Sequence, residues 1–125
     1  MEVNPPKVAS ALREVFFEPT FHKHAKESCG GCQLHVTDRH AFRPVLATVL
    51  LLEAFRSVNR ERFRWRDPPY EYEHVKLPID ILAGSARLRE QIDDDVLAEE
   101  IARSWEAEVS AFEKIREQFL AYGAG

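Results

Sequence analysis

Histidine and cysteine, the residue types best suited to metal binding and to nucleophilic or redox chemistry, are concentrated in one short segment of this 125-residue chain. Between residues 22 and 40 lie both cysteines and all but one of the histidines, namely His22, His24, Cys29, Cys32, His35 and His40. Zinc prefers thiolate and imidazole ligands, and two cysteines separated by two residues can occupy two corners of its tetrahedron. The same pair could instead form a redox-active dithiol. The segment therefore permits two kinds of chemistry, metal binding and thiol–disulfide exchange.

The pattern around the glycines favours a structural role for the cysteines. Gly30-Gly31 predicts a turn, and residues 32–37 then alternate apolar with polar side chains, which is typical of a half-buried strand. In a strand, Cys32 and His35 point to opposite faces and cannot share one metal ion. The predicted inward residues are Cys32, Leu34 and Val36, and the predicted outward residues are Gln33, His35 and Thr37. We therefore expect free cysteines that pack as small apolar side chains, with no metal and no cofactor.

Polar side chains gather where this predicted strand ends. His35, Thr37 and Asp38 follow one another closely there, and binding residues commonly lie at strand ends and in the loops after them. Asp38 has a second interpretation, as a turn residue whose carboxylate accepts hydrogen bonds from its own backbone. The spacing leaves both interpretations open.

Strands are predicted early in the chain and helices later, which is typical of the α+β class. The strands are expected over 12–17 and 32–37, with further short strands over 62–66 and 70–75. In the segment 62–66, arginines alternate with Phe63 and Trp65, which predicts an edge strand with its rings facing inward rather than a nucleic-acid surface.

Helices are predicted from Pro44 to about Arg60, over 77–82 with Gly84 as the stop, and from a cap at Ser85 to Ile92. The aspartates 93–95 are expected to cap a last, long helix. Its predicted core stripe consists of Leu97, Ile101, Trp105, Val109, Phe112, Ile115 and Phe119. We predict a flexible lead-in over 1–10 and one α+β domain over 11–125. That domain should have a small, mainly antiparallel sheet with helices packed on it.

Charge and hydropathy exclude two classes of partner. The net charge of −4 argues against a general nucleic-acid binder, and the longest apolar stretch, 45–52, is too short to span a membrane. The first residues show no signal-peptide pattern. A cytoplasmic location is therefore expected, or an extracytoplasmic one if a segment has been removed or omitted.

Ordered motifs across residues 11–122 resemble the C-terminal half of the DUF1343 family, whose characterised (NamZ-like) members are exo-β-N-acetylmuramidases of peptidoglycan turnover. The strongest matching strings are residues 17–23, 29–39 and 42–45. Further matches in order are 63–65, 77–84, Leu88-Arg89, Trp105 and the closing set Phe112, Arg116 and 120–122.

This resemblance implies an accessory domain that closes one side of a substrate cleft. The catalytic groups of the family lie in a Rossmann-like N-terminal half, so the expected partner is that half, in the same or a separate polypeptide. No catalytic residue is carried onto this chain, and we expect it to be inactive alone. The residues expected to bind a muropeptide sugar are His22, Lys23, His35, Thr37 and Asp38.

Two alternatives remain open, a stand-alone binding or interaction domain of unknown ligand and a Cys/His metal or redox module. If a partner domain is missing, an exposed apolar patch is expected beside the polar strand end. Phe21, His22 and Tyr70 are the residues expected at its rim.

Overall fold

The computed structural model describes residues 8–122, and the chain divides into two compact units. The first unit extends to Ala47 and contains a β-hairpin, whereas the second begins at Thr48 and is helical. Most of the predicted lead-in, residues 1–7, lies outside the described residues. Val8 is buried and Ser10 already begins the first strand. The fold is a small α+β fold, as the order of the predicted elements indicates.

Two antiparallel strands, β1 (Ser10–Phe17) and β2 (Cys29–Val36), form the hairpin. The register pairs Phe17 with Cys29 at the loop end and Ser10 with Val36 at the other end. Both predicted strands are confirmed, and each begins earlier than expected. The extra residues lengthen the hairpin, so its two ends lie about 23 Å apart at the usual rise per residue.

The turn predicted at Gly30-Gly31 is wrong, because both glycines lie inside β2. A Cβ atom at Gly31 would lie only 2.8 Å from a ring carbon of Phe17, and one at Gly30 would lie 3.8 Å from the ring of Phe16. The missing side chains therefore leave room for the phenylalanine rings of β1. Here glycine serves close packing across a strand pair rather than a turn.

The predicted alternation along β2 holds for most residues. Cys32 and Leu34 are half-buried, whereas Gln33 and His35 on the opposite face are exposed. Val36 departs from the prediction, because it is 42% exposed. It is the last residue of its strand and pairs only with Ser10 at the end of the ladder, where little of the hairpin remains to cover it.

The helical part of the chain contains five α-helices and a final 3₁₀ turn among the described residues. They are α1 (Pro44–Val58), α2 (Pro78–Ala83), α3 (Arg87–Asp93), α4 (Ala98–Ser104), α5 (Glu106–Arg116) and the turn Glu117–Phe119. The predicted stop at Gly84 is confirmed, since this residue adopts a left-handed φ of 79° after α2. None of the helices that the structure describes has the length and apolar character needed to cross a bilayer.

The expected helix caps are wrong. α3 follows Ala86 rather than a capping Ser85, and α4 follows Leu97 with no side-chain cap. Two of the three aspartates before α4 accept hydrogen bonds from other parts of the chain instead. Asp95 pairs with Arg56 and Arg60 of the preceding helical region, and Asp93 accepts a bond from Trp65.

The long C-terminal helical segment is present, and the predicted stripe is divided at Trp105 between α4 and α5. Ile101 of α4 is fully buried and Trp105 is half-buried, while Leu97 is 53% exposed. No residue of α5 is buried. The apolar residues that form the core of the second unit are Val49, Ile92, Ala98, Ile101 and Ala102.

Neither of the strands predicted over 62–66 and 70–75 forms; the second segment has only an isolated bridge between Tyr70 and Glu73. The predicted direction of the rings is nevertheless confirmed. Phe63 and Trp65 are half-buried and meet edge to face, with ring centroids 5.0 Å apart, while the alternating arginines are exposed. An extended segment can therefore keep a period of two without pairing to another strand.

Candidate functional site

The five predicted sugar-binding residues fall into two groups at opposite ends of the hairpin. His35, Thr37 and Asp38 lie at the end where β2 finishes, and His22 and Lys23 lie in the loop that joins the strands. All five side chains are exposed. Because the strands separate the ends by about 23 Å, a single sugar unit cannot contact both groups.

At the end of the hairpin that carries His35, Thr37 and Asp38, hydrogen bonds fix the backbone of the residues that follow β2. The Thr37 amide donates a hydrogen bond to the Ala9 carbonyl, at 2.8 Å, and so extends the strand pairing by one residue. His35 lies opposite Ala11 on the exposed face of β2. The imidazole therefore projects to solvent from a strand whose backbone is held by its pairing with β1.

Asp38 organises the turn that follows. Its Oδ1 atom accepts hydrogen bonds from the amides of His40 and Ala41, at 2.9 and 3.2 Å. This confirms the turn interpretation of Asp38. The same hydrogen bonds hold the Asp38 carboxylate in place just after β2. A charged hydrogen-bond acceptor is therefore fixed at the same end of the hairpin as His35.

The second group lies in a loop of residues 18–28 whose ends are closed on each other. The Lys26 amide donates to the Pro19 carbonyl at 2.9 Å, and His22 and His24 adopt left-handed φ values of 63° and 57°. The His22 ring meets the Phe21 ring edge to face, with centroids 4.8 Å apart. The loop thus presents an aromatic pair beside Lys23 on an exposed surface.

Exposed aromatic side chains lie near the loop end of the hairpin rather than near the His35 end. Phe16, Phe17 and Phe21 are 72%, 50% and 70% exposed. Phe16 and Phe17 are neighbours in β1, so their rings lie on opposite faces of the strand, and the apolar patch expected beside the polar strand end stays a prediction. Tyr70 belongs to the second unit, where it is half-buried with the Arg66 guanidinium 5.7 Å from its ring centroid.

Both cysteines lie in the extended strand β2, and their side chains are not brought together as in a zinc knuckle. Cys29 and Cys32 are half-buried free thiols, and their separation by three strand positions places them on opposite faces. The Cys29 thiol lies 3.8 Å from the Glu27 carbonyl oxygen. Among residues 8–122, no group of three or more histidine, cysteine or acidic side chains is arranged to hold a metal ion.

A carboxylate in one of the matching motifs has a structural partner. Asp80 of α2 accepts two hydrogen bonds from Arg89 of α3, at 2.9 and 3.1 Å, and both side chains are largely shielded from solvent. The hydrogen bond to Asp80 raises the pKa of the Arg89 guanidinium above its ordinary value. Asp80 therefore joins two short helices. Sequence reasoning placed both residues in matching motifs but did not pair them.

A cavity of about 230 Å³ in the second unit was not anticipated from the sequence. Its apolar walls come from α1, α3, α4 and the segment before α4, and include Val49 and Ile101. Arg56, Arg60 and Asp95 line it as well. Arg56 also donates to the Asp93 carbonyl at 2.8 Å, so the guanidinium closes the gap between α1 and the end of α3.

The two arginines hold the pKa of Asp95 below its ordinary value, Arg60 through the larger effect and Arg56 through the smaller. A carboxyl group with a depressed pKa in the folded state stabilises that state above its unfolded pKa, near 4, and this stabilisation is lost as the pH falls through the folded value. We therefore expect Asp95→Asn to lower the melting temperature at pH 7. The difference from the parent should shrink as the pH falls below about 4.

Circular dichroism melts across this pH range measure the effect. Asparagine tolerates the left-handed φ of 60° at this position, so the substitution tests the charge. Asp94→Asn, at the exposed neighbouring residue, is the matched control and should leave the melting temperature nearly unchanged at every pH. An equal loss from both variants would contradict the assignment.

Comparison with known proteins gives two matches. The family model described as "Exo-beta-N-acetylmuramidase NamZ, C-terminal" matches residues 6–122. A curated relative, the peptidoglycan β-N-acetylmuramidase NamZ of Bacillus subtilis (strain 168), is 31% identical over 111 residues. That alignment covers 89% of this chain and 25% of the relative, so the chain spans about a quarter of the relative's length. No solved structure matches the chain significantly.

Proposed function

The chain belongs to the family of NamZ C-terminal domains, and on this premise we propose that it is the accessory, cleft-forming domain of an exo-β-N-acetylmuramidase. Its relation to a peptidoglycan glycoside hydrolase rests on the family match over residues 6–122. In the proposal, the catalytic groups belong to a Rossmann-like half supplied by the same or a separate polypeptide. The present chain contributes one wall of the cleft.

The disposition of its acidic residues supports an accessory role. Glycoside hydrolysis normally uses two carboxyl groups that flank the scissile bond. Of the acids in the matching motifs, Asp38 holds a turn and Asp80 is paired with Arg89, while Glu18 is exposed at the start of the loop. These three residues have separate local environments, and two of them already have structural partners.

The polar end of the hairpin is the part that we assign to the sugar. His35 and Asp38 offer an imidazole and a fixed carboxylate, and Thr37 adds a hydroxyl, which together can donate to and accept from sugar hydroxyl and acetamido groups. Their backbone is tied to the hairpin, so binding requires no ordering of the backbone at these positions.

The loop end is assigned to the catalytic half. The exposed rings of Phe16, Phe17 and Phe21 are of the type enriched in protein interfaces. In the proposal, His22 and Lys23 lie in the same loop as Phe21 and contact the glycan where it crosses from one domain to the other. In this proposal, both groups of predicted residues contact the glycan, each from a different part of the cleft wall.

Titration with a disaccharide that contains N-acetylmuramic acid tests the proposed sugar site. In amide NMR spectra of the chain, we expect the largest shifts at residues 35–38. His35→Ala should weaken binding, whereas His74→Ala, at an exposed histidine of the second unit, should not. Shifts confined to the second unit would remove the site, and equal loss from both variants would contradict the role of His35.

A turnover assay tests the accessory role independently. The isolated chain should release no sugar from a muramic-acid glycoside, because Glu18, Asp38 and Asp80, the acids of the matching motifs, do not supply a free pair of carboxyl groups. Activity that scales with chain concentration, survives repurification and disappears in Asp38→Asn would show a hydrolase. Binding without turnover agrees with the proposal, and a folded chain that binds no muropeptide would contradict it.

A further inference from the structure

α5 presents an apolar face that no other described residue of the second unit covers. Val109, Phe112 and Ile115 are 51%, 60% and 57% exposed, and Phe119 in the following turn is 79% exposed. Their spacing of three and four residues aligns them on one side of the helix. A continuous stripe of large apolar residues at this exposure indicates a surface that packs against another molecule.

The residues of this stripe are arranged symmetrically about Phe112 in the sequence, with apolar residues at matching distances and opposite charges at matching distances. This arrangement favours a second copy of the same helix as the partner. Three positions to either side of Phe112 stand Val109 and Ile115, both apolar. Four positions to either side stand Glu108 and Arg116, which have opposite charges. If two copies of α5 pair antiparallel with the two Phe112 rings at the dyad, a residue k positions after Phe112 faces the residue k positions before it.

Every pair created by this arrangement is compatible. Arg116 of each copy faces Glu108 of the other, Ile115 faces Val109, and Phe119 faces the half-buried Trp105. At the remaining positions within seven residues of the dyad, no two like charges oppose each other. We infer that α5 is an interaction surface for a second copy of this chain, formed by an antiparallel, isologous pairing of the two helices.

The local contacts of the charged residues agree with this pairing. Glu108 accepts a hydrogen bond from Arg87 at 2.9 Å, and this bond orients the carboxylate at the edge of the stripe. A carboxylate has further acceptor positions, so Glu108 can bind Arg87 and the second copy's guanidinium together. The Arg116 side chain forms no ion pair with any residue between 8 and 122, and it gains one in the dimer.

The area that two α5 helices can bury determines the expected affinity of the dimer. α5 is about 16 Å long, and a pair of such helices buries less than the roughly 1,600 Å² of a standard stable interface. The dimer should therefore be weak and concentration-dependent. We expect sedimentation velocity to show a reversible monomer–dimer equilibrium that moves toward dimer as the concentration of the full chain is raised.

Charge reversal provides the decisive experiment. Glu108→Arg alone places two arginines opposite each other, and Arg116→Glu alone places two glutamates opposite each other, so each variant by itself should be monomeric. A mixture of the two should form a heterodimer, because every facing pair then has opposite charges. In a parallel, in-register pair of unchanged helices, Glu108 would face Glu108 and Arg116 would face Arg116. Self-association of the unchanged chain together with recovery on mixing therefore indicates the antiparallel pairing about Phe112.

A second pair of variants separates the interface from the fold. Phe112→Glu should abolish the dimer, while Phe55→Glu, at a residue of α1 with nearly equal exposure of 56%, should leave it intact. Circular dichroism should show that both variants are folded. A chain that stays monomeric at all concentrations, a dimer that survives Phe112→Glu, or no recovery on mixing would each overturn the inference. These outcomes are independent of the muropeptide titration.

Discussion

Replacing Ile101 by alanine is expected to destabilise the chain by about 2–5 kcal/mol, the range found when a buried isoleucine side chain is truncated. Ile101 is fully buried in α4 and lies against the cavity that Val49 and Ile92 also line. Removing its side chain enlarges a space that the surrounding helices do not fill. Denaturant unfolding monitored by circular dichroism gives the free energy of unfolding.

Ile115→Ala is the matched control for this prediction. The same substitution is made on the same predicted stripe, at a residue that is 57% exposed in α5. Its cost should stay within about 0.5 kcal/mol when measured at concentrations where the chain is monomeric. Similar losses at the two positions would mean that α5 is covered in the folded chain in solution.

Trp65→Ala should have the second largest effect, a loss of about 2 kcal/mol, below the 3–5 kcal/mol of a fully buried tryptophan because the ring is half-buried. Two interactions are lost together. The indole Nε1 donates to Asp93 Oδ1 at 2.9 Å, and the ring meets Phe63 edge to face. The segment before α2 is attached to the end of α3 through this side chain.

Trp65→Phe divides that loss into its parts, since it keeps an aromatic ring and removes the N–H donor. We expect it to cost about 1 kcal/mol, the typical net value of one hydrogen bond. Tyr72→Ala, at a residue that is 97% exposed, should change the free energy of unfolding by less than about 0.5 kcal/mol. A Trp65→Phe variant as unstable as Trp65→Ala would contradict this division.

The alternation of side chains made parts of the fold predictable. The period of two at Cys32–His35 and at Phe63–Trp65 correctly assigned which residues share a face, even though only the first segment forms a strand. Strong local signals also determined the helix that begins at Pro44 and the stop at Gly84. Such features depend on neighbours along the chain, and the sequence shows those neighbours directly.

Other features depended on residues that are distant in sequence. Asp95 was predicted to cap a helix, and it instead accepts hydrogen bonds from Arg56 and Arg60, which lie 39 and 35 positions earlier. Gly30-Gly31 was predicted to turn the chain, and the rings of β1 occupy the space that these glycines leave. In both cases the local propensity was real, and a partner supplied by the fold determined how the residues were used.

The candidate site was likewise predicted in part from the sequence and in part only from the tertiary structure. By itself the sequence determined the family resemblance and the polar character of His35, Thr37 and Asp38. Only the tertiary structure showed that His22 and Lys23 lie at the other end of the hairpin, because the separation depends on the length and register of β1 and β2.

The C-terminal stripe shows what the sequence pattern determines and what the tertiary structure determines. Helical periodicity determined that Ile101, Phe112 and Ile115 repeat at the spacing of one face. Tertiary structure decided that Ile101 is fully buried while Phe112 and Ile115 stay exposed. A periodic pattern specifies which side chains share a face, and burial depends on whether another element, or another molecule, covers that face.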